Sequence, residues 1–185
     1  EKARRERARE GGTGIVGYSA DDDGNRIVFT INARLFLTDI DWNDETGAPE
    51  PHTRELAGEW LDEDPAMYTP VLNPRIAPDG EHVLYTTGSY LMLVDIGGEL
   101  GDRITAVYGV SVEDEDGNPA ENTWKIGLAE FVAGEEMDRY DGFWWAPDSQ
   151  HVLFESFDTA DEPTWYISDP ADPEKPDAGR RYPRA

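Results

Sequence analysis

An all-β fold of repeated sheets is predicted for this 185-residue chain by three observations: a turn-plus-strand signature that occurs three times, a companion strand that repeats in step with it, and a proline placed ahead of the turn in two copies. The signature reads Asp23-Gly24-Asn25-Arg26-Ile27-Val28-Phe29, then Asp79-Gly80-Glu81-His82-Val83-Leu84-Tyr85, then Asp148-Ser149-Gln150-His151-Val152-Leu153-Phe154. The companion strand Leu35-Phe36-Leu37-Thr38-Asp39-Ile40 returns as Leu91-Met92-Leu93-Val94-Asp95-Ile96, displaced by the same 56 residues as the turn. From the second copy to the third the turn moves by 69 residues and the strand-end aspartate, Asp95 to Asp169, by 74, so the additional residues fall in connections. Pro78 and Pro147 preset φ, and Gly80 or Ser149 completes a tight reversal between the first two strands of a unit. Hairpins recurring at this spacing describe β-propeller blades, each a four-stranded sheet that cannot bury both faces by itself. A repeat-containing β-sandwich is the rival reading, although sandwiches seldom repeat one turn in register with one strand ending.

Taken in order, residues 1–12 form a charged N-terminal arm, because EKARRERARE offers five basic and three acidic side chains and no large apolar one to bury. Residues 13–185 follow as a partial propeller domain, with blade signatures near 15–40, 71–96 and 142–169. Between the second and third signatures, residues 128–139 contain Ala129, Glu130, Ala133, Glu135, Glu136 and Met137, a helix-prone run that predicts a short inserted helix. It leads straight into the aromatic strand Gly142 to Ala146. A propeller needs at least four blades, so three signatures describe an incomplete ring. Its open edges lead us to expect association with a second copy, a homo-oligomer.

Composition narrows the function classes. A net charge of −24 argues against nucleic acid as a partner, since that binding rests on Lys and Arg neutralising phosphates. So acidic a surface would attract cationic groups, a protonated peptide amine among them, but solubility or salt adaptation is the plainer reading. No apolar run approaches the roughly 18 residues of a membrane helix, and no signal-peptide core precedes the first signature. The chain has no cysteine, which removes disulfides and thiolate metal sites and permits a reducing compartment; a cytoplasmic location is the expectation.

Few motifs carry chemistry. With 19 Glu in the chain, an adjacent Glu pair is uninformative by itself; its place in a helical insertion beside a blade strand is what singles out Glu135 and Glu136. Two carboxylates held close together repel, and a bound ammonium relieves that repulsion through charge-assisted hydrogen bonds. The plain alternative is a solvated acidic helix face. Phe143-Trp144-Trp145 reads as a blade strand with alternate rings buried rather than as a ligand shelf. His82 and His151 occupy the same repeat position and His52 stands alone, so no metal-ligand set emerges. The run Val112-Glu113-Asp114-Glu115-Asp116-Gly117 departs from a calcium-loop template at its first position and reads as an acidic surface loop. No cofactor and no metal are expected. None of the six serines lies in a G-x-S-x-G context, so no catalytic residue of a serine hydrolase is expected within these 185 residues.

The order of pieces in Gly127 to Ser149, GLAEFVAGEEMDRYDGFWWAPDS, resembles the N-terminal β-propeller domain of bacterial dipeptidyl peptidase IV, in the prolyl oligopeptidase group. The resemblance runs from Thr13 to Tyr182-Pro183-Arg184-Ala185. It implies an eight-bladed ring, of which this chain supplies about three blades. It also implies a C-terminal α/β-hydrolase domain that carries the catalytic triad, and release of dipeptides from free peptide N-termini, often after proline. Glu135 and Glu136 would then anchor the substrate α-amino group. Gly134 stands where many relatives have Gln, a departure that loosens the helix and leaves both carboxylates in place. Two alternatives stay open: the propeller of a related tripeptidyl or acylaminoacyl peptidase, and a non-catalytic propeller that binds proteins.

Overall fold

Strands dominate because β-branched and aromatic residues alternate with polar ones over short runs bounded by Asp, Asn, Gly and Pro. The computed structural model describes residues 14–15, 17–32, 34–57, 70–98, 104–166, 171 and 179–181; the arm 1–12 and the strand end at Asp169 lie outside them. The first sheet is an antiparallel meander, β1 (Tyr18–Ala20), β2 (Arg26–Ile31), β3 (Arg34–Trp42) and β4 (Pro49–Ala57), in that spatial order. The second repeats the plan with β5 (Leu72–Ile76), β6 (His82–Thr86), β7 (Tyr90–Asp95) and β8 (Ile104–Gly109). The remaining strands are β9 (Trp124–Ile126), β10 (Phe143–Trp145), β11 (Val152–Phe154), β12 (Ser156–Asp158), β13 (Thr164–Trp165) and β14 (Arg180–Arg181).

The three signatures become equivalent hairpins, joining β1 to β2, β5 to β6 and β10 to β11. In the second, the N–H of Ala77 donates to the His82 carbonyl at 2.8 Å and that of Gly80 to the Ala77 carbonyl at 2.9 Å. In the third, Ala146 donates to His151 at 2.8 Å and Ser149 to Ala146 at 3.0 Å, the same turn again. Gly80 has φ 75° and Ser149 φ 56°, so the third copy holds in the left-handed region a residue that reaches it less readily than glycine. Its hydroxyl has a use there. Ser149 Oγ accepts the N–H of Asp79 at 3.1 Å, and the N–H of Asp22 donates to the Pro78 carbonyl at 3.1 Å, so each turn is bonded to the next.

The central strands of the middle sheet, β6 and β7, bury side chains on both faces. Cross-strand pairs Val83 with Val94 and Tyr85 with Met92 pack on one side against Val28, Leu35, Leu37 and Leu56 of the first sheet. On the other side Leu84, paired with Leu93, and Leu91 pack against Ile126 and Phe143. The period-2 alternation of a strand thus feeds two separate cores, as stacked blades require. Arg26 ties the first two sheets at their edge: its guanidinium donates to the Gly80 carbonyl at 2.7 Å, to Asp39 at 3.1 Å and to Glu81 at 3.3 Å.

The third unit is assembled differently. β11 and β12 are separated by Glu155 alone and run on as one extended segment, whose first half pairs with β10 and whose second half pairs with β9. Its partner strand is therefore split in two, and residues 127–142 leave the sheet and return to it between the halves. Buried Thr86 fastens this unit to the middle sheet by donating its hydroxyl to the Ile126 carbonyl at 2.5 Å while accepting the N–H of Gly88 at 2.9 Å.

Candidate functional site

The excursion between β9 and β10 holds the helix α1 (Phe131–Glu136), six residues inside the 128–139 span expected from composition. Glu130 starts it as N-cap: its carboxylate accepts the N–H of Val132 at 2.8 Å and of Ala133 at 2.5 Å, satisfying donors that the helix leaves open. Ala133 is its buried residue. The helix stops because the N–H groups of Met137 and Arg139 both turn back to the Ala133 carbonyl, at 3.2 and 3.0 Å, with Asp138 between them at φ 51°.

The base of the excursion is closed tightly. The N–H of Gly127 donates to the Glu155 carbonyl at 2.9 Å, the N–H of Glu155 donates to the Gly142 carbonyl at 2.7 Å, and Leu128 bridges to Asp141. A Cβ on Gly142 would lie 2.4–2.5 Å from backbone atoms of Leu128, so only glycine lets the two returning strands approach this closely. Two arginines hold the flanks. Arg75 of β5 donates from Nη2 to both carboxylate oxygens of Asp141 at 2.6 Å, and Arg139 donates from Nη1 to Glu155 at 2.7 Å and to the Asp141 carbonyl at 2.8 Å. Asn73 adds a bond to the Tyr140 carbonyl at 3.0 Å.

Glu135 and Glu136 lie in the last turn of α1 and are exposed. Neither carboxylate has a hydrogen-bond or ion-pair partner among the described residues. The other acids of the excursion divide sharply: Glu130 caps the helix and Asp141 binds Arg75, whereas Asp138 is exposed like the pair. Two carboxylates at a helix C-terminus, with no basic residue in that turn, stand at the negative end of the dipole. Neighbouring helical positions diverge by roughly 100°, so the two side chains leave the helix in different directions.

The aromatic strand beside the excursion is structural in its buried rings. Phe143 is 1% exposed, and Trp145 packs against the same core and donates its indole N–H to the Arg75 carbonyl at 3.0 Å. Trp144 points the other way, 40% exposed, with the Arg139 guanidinium 5.9 Å from its ring centre. In the acidic loop Asp114 is committed to its own turn, accepting the N–H groups of Asn118 at 2.8 Å and Asp116 at 3.0 Å; the Asn118 bond leads in holding its carboxyl below the usual range. Among the described residues no three His, Asp or Glu side chains gather as a metal site.

The family profile described as the dipeptidyl peptidase IV (DPP IV) N-terminal region matches residues 29–185. The chain belongs to the DPP IV N-terminal region family. Dipeptidyl peptidase 8 of Homo sapiens is 23% identical over 194 residues, which is 100% of this chain and 20% of that protein, and the Mus musculus dipeptidyl peptidase 8 matches with the same identity and coverage. The crystal structure of Porphyromonas gingivalis dipeptidyl peptidase 4 superposes with a TM-score of 0.58 at 20% identity, over 97% of this chain and 24% of that one. The propeller architecture read from the repeated turns is thus the fold of this DPP IV N-terminal region, and the chain spans about a fifth of the length of the curated relatives it matches. Sequence reasoning singled out the glutamate pair but missed Arg75, Arg139, Asp141 and Glu155, which fix the excursion that carries it.

Proposed function

We propose that this chain is the N-terminal propeller portion of a serine-type dipeptidyl peptidase, in which Glu135 and Glu136 anchor the free α-amino group of a peptide substrate. The observation that carries this reading is the pair of uncommitted carboxylates at the negative end of α1, on an excursion whose base is closed by two arginines and a glycine contact. Local chemistry disfavours two bare carboxylates there, and a departure from local preference that the surroundings hold firmly is a mark of function. An α-ammonium offers three donors and a positive charge, and so relieves both the mutual repulsion and the clash with the helix dipole.

Anchoring the terminus sets register. A substrate gripped by its amino group presents its second peptide bond at a fixed distance, and binding energy from the amine becomes orientation at the reacting carbonyl. The nucleophile would come from a C-terminal α/β-hydrolase domain of the same parent chain. Leu153, 70% exposed where its repeat equivalent Leu84 is 1% exposed, marks a face suited to a further sheet or a second copy.

The test is kinetic, in the full-length peptidase. Glu135→Gln and Glu136→Gln should each raise KM and lower kcat/KM for dipeptidyl substrates by at least about tenfold, the size of one charge-assisted hydrogen bond. Circular dichroism of the variants should match the parent. Kinetics identical to the parent for both variants would remove the anchoring role.

A further inference from the structure

The six-residue helix α1 is too short to hold its own orientation, since isolated helices below roughly 12 residues are marginal in water, and its buried side chain is only an alanine. Something outside the helix must therefore aim its last turn. Arg139 lies three residues beyond Glu136 and meets that need from two sides. Its N–H donates to the Ala133 carbonyl at 3.0 Å, closing the turn that bears the glutamates. Its guanidinium donates to Glu155 at 2.7 Å and to the Asp141 carbonyl at 2.8 Å, and faces the Trp144 ring at 5.9 Å. Glu155 is the residue whose own N–H and carbonyl grip Gly142 and Gly127, the two ends of the excursion. Glu155, the residue between β11 and β12, thus fixes the entry, the exit and, through Arg139, the tip.

We infer that Arg139 is a positioning residue for the glutamate pair, transmitting the fixed geometry of Glu155 to the C-terminal turn of α1 without itself touching substrate. The inference rests on the anchoring role proposed for Glu135 and Glu136. Arg139 and Glu155 are each about one-third exposed, with side-chain exposures of 34% and 28%, so the pair is shielded enough to be directional. Lysine keeps the charge but loses the planar guanidinium that faces the Trp144 ring while Nη1 reaches Glu155 and Asp141.

The experiment compares Arg139→Gln, Arg139→Lys and the Glu135→Gln/Glu136→Gln double variant, alone and combined, in the full-length peptidase with a chromogenic dipeptidyl substrate bearing a free amine. Arg139→Gln should raise KM about tenfold with kcat changed about twofold or less, the signature of a misaimed anchor. Arg139→Lys should recover part of that loss. In the background lacking both carboxylates, Arg139→Gln should have no further effect, because residues acting through one group are non-additive. A loss of the same size in both backgrounds, or an unchanged KM, would overturn the inference while leaving the anchoring reading standing. A silent Glu135→Gln/Glu136→Gln variant would sink the anchoring reading itself, and the inference with it. If Arg139→Gln does not fold, Glu155→Gln carries the same comparison from the other end of the pair.

Discussion

Arg75 binds both carboxylate oxygens of Asp141 at 2.6 Å, joining the first strand of the second sheet to the returning end of the excursion, 66 residues further along the chain. Both side chains are about one-third exposed, at 32% and 33%, so solvent discounts the pair. Asp141→Asn should lower stability by about 1 kcal/mol, or a fall in Tm of roughly 2–4 °C for a domain of this size. Differential scanning calorimetry checks it, and an unaltered Tm would show that the contact between sheet and excursion is held by packing alone.

Two glycines of the excursion should respond in opposite directions. Gly142→Ala drives a methyl into the Leu128 backbone at 2.4–2.5 Å and should cost about 2 kcal/mol or more. Gly134→Ala meets the Tyr140 ring at 3.7 Å, an ordinary contact, inside a helix, and should stabilise by roughly 0.5–1 kcal/mol. Denaturant midpoints of the two variants would decide; a matched response would contradict the geometry.

The aromatic strand offers a second contrast. Phe143→Ala removes a ring that is 1% exposed between two sheets and should cost about 3–5 kcal/mol. Trp144→Ala, on the outward face, should cost about 1 kcal/mol or less, chiefly the cation–π contact with Arg139. Urea titration of both variants reads the difference directly.

Tyr85 fixes an alkaline limit. Burial pushes its phenol up to about 12, whereas in the unfolded chain it ionises near 10. Between these values the unfolded state has released a proton that the native state keeps, so stability falls as pH rises. The contribution is fully present below about pH 10 and lost as pH climbs through about 12. Tyr85→Phe should flatten that part of the decline, seen in denaturant midpoints between pH 9 and 11.5, and native phenolate absorbance should show a late-titrating component that the variant lacks. A parallel decline in the variant would assign the loss to other groups.

What the sequence discloses depends on how local the cause is. The hairpins at Asp79-Gly80 and Asp148-Ser149 are legible because turn geometry is set by residues a few positions apart. Leu84 and Tyr85 declare opposite faces through strand alternation, and the structure sends them to separate cores. The helix is legible in kind but forms only over Phe131–Glu136, since Glu130 is consumed as cap and Arg139 turns the backbone away. The three-residue strand β9 carries no turn signal, and its pairing with β12 spans an excursion that composition alone cannot close. The arginine pairs are hidden for the same reason: Arg75 and Asp141 meet only once two sheets have packed.

The run from Val152 to Asp158, in which only Glu155 separates β11 from β12, has a consequence for how such a molecule diversifies. Because both halves of the opposing strand read their register from this one rail, sequence between Ala129 and Asp138 answers only to its own tether points. Selection is free to lengthen, shorten or recharge that cassette while the surrounding scaffold is inherited unchanged.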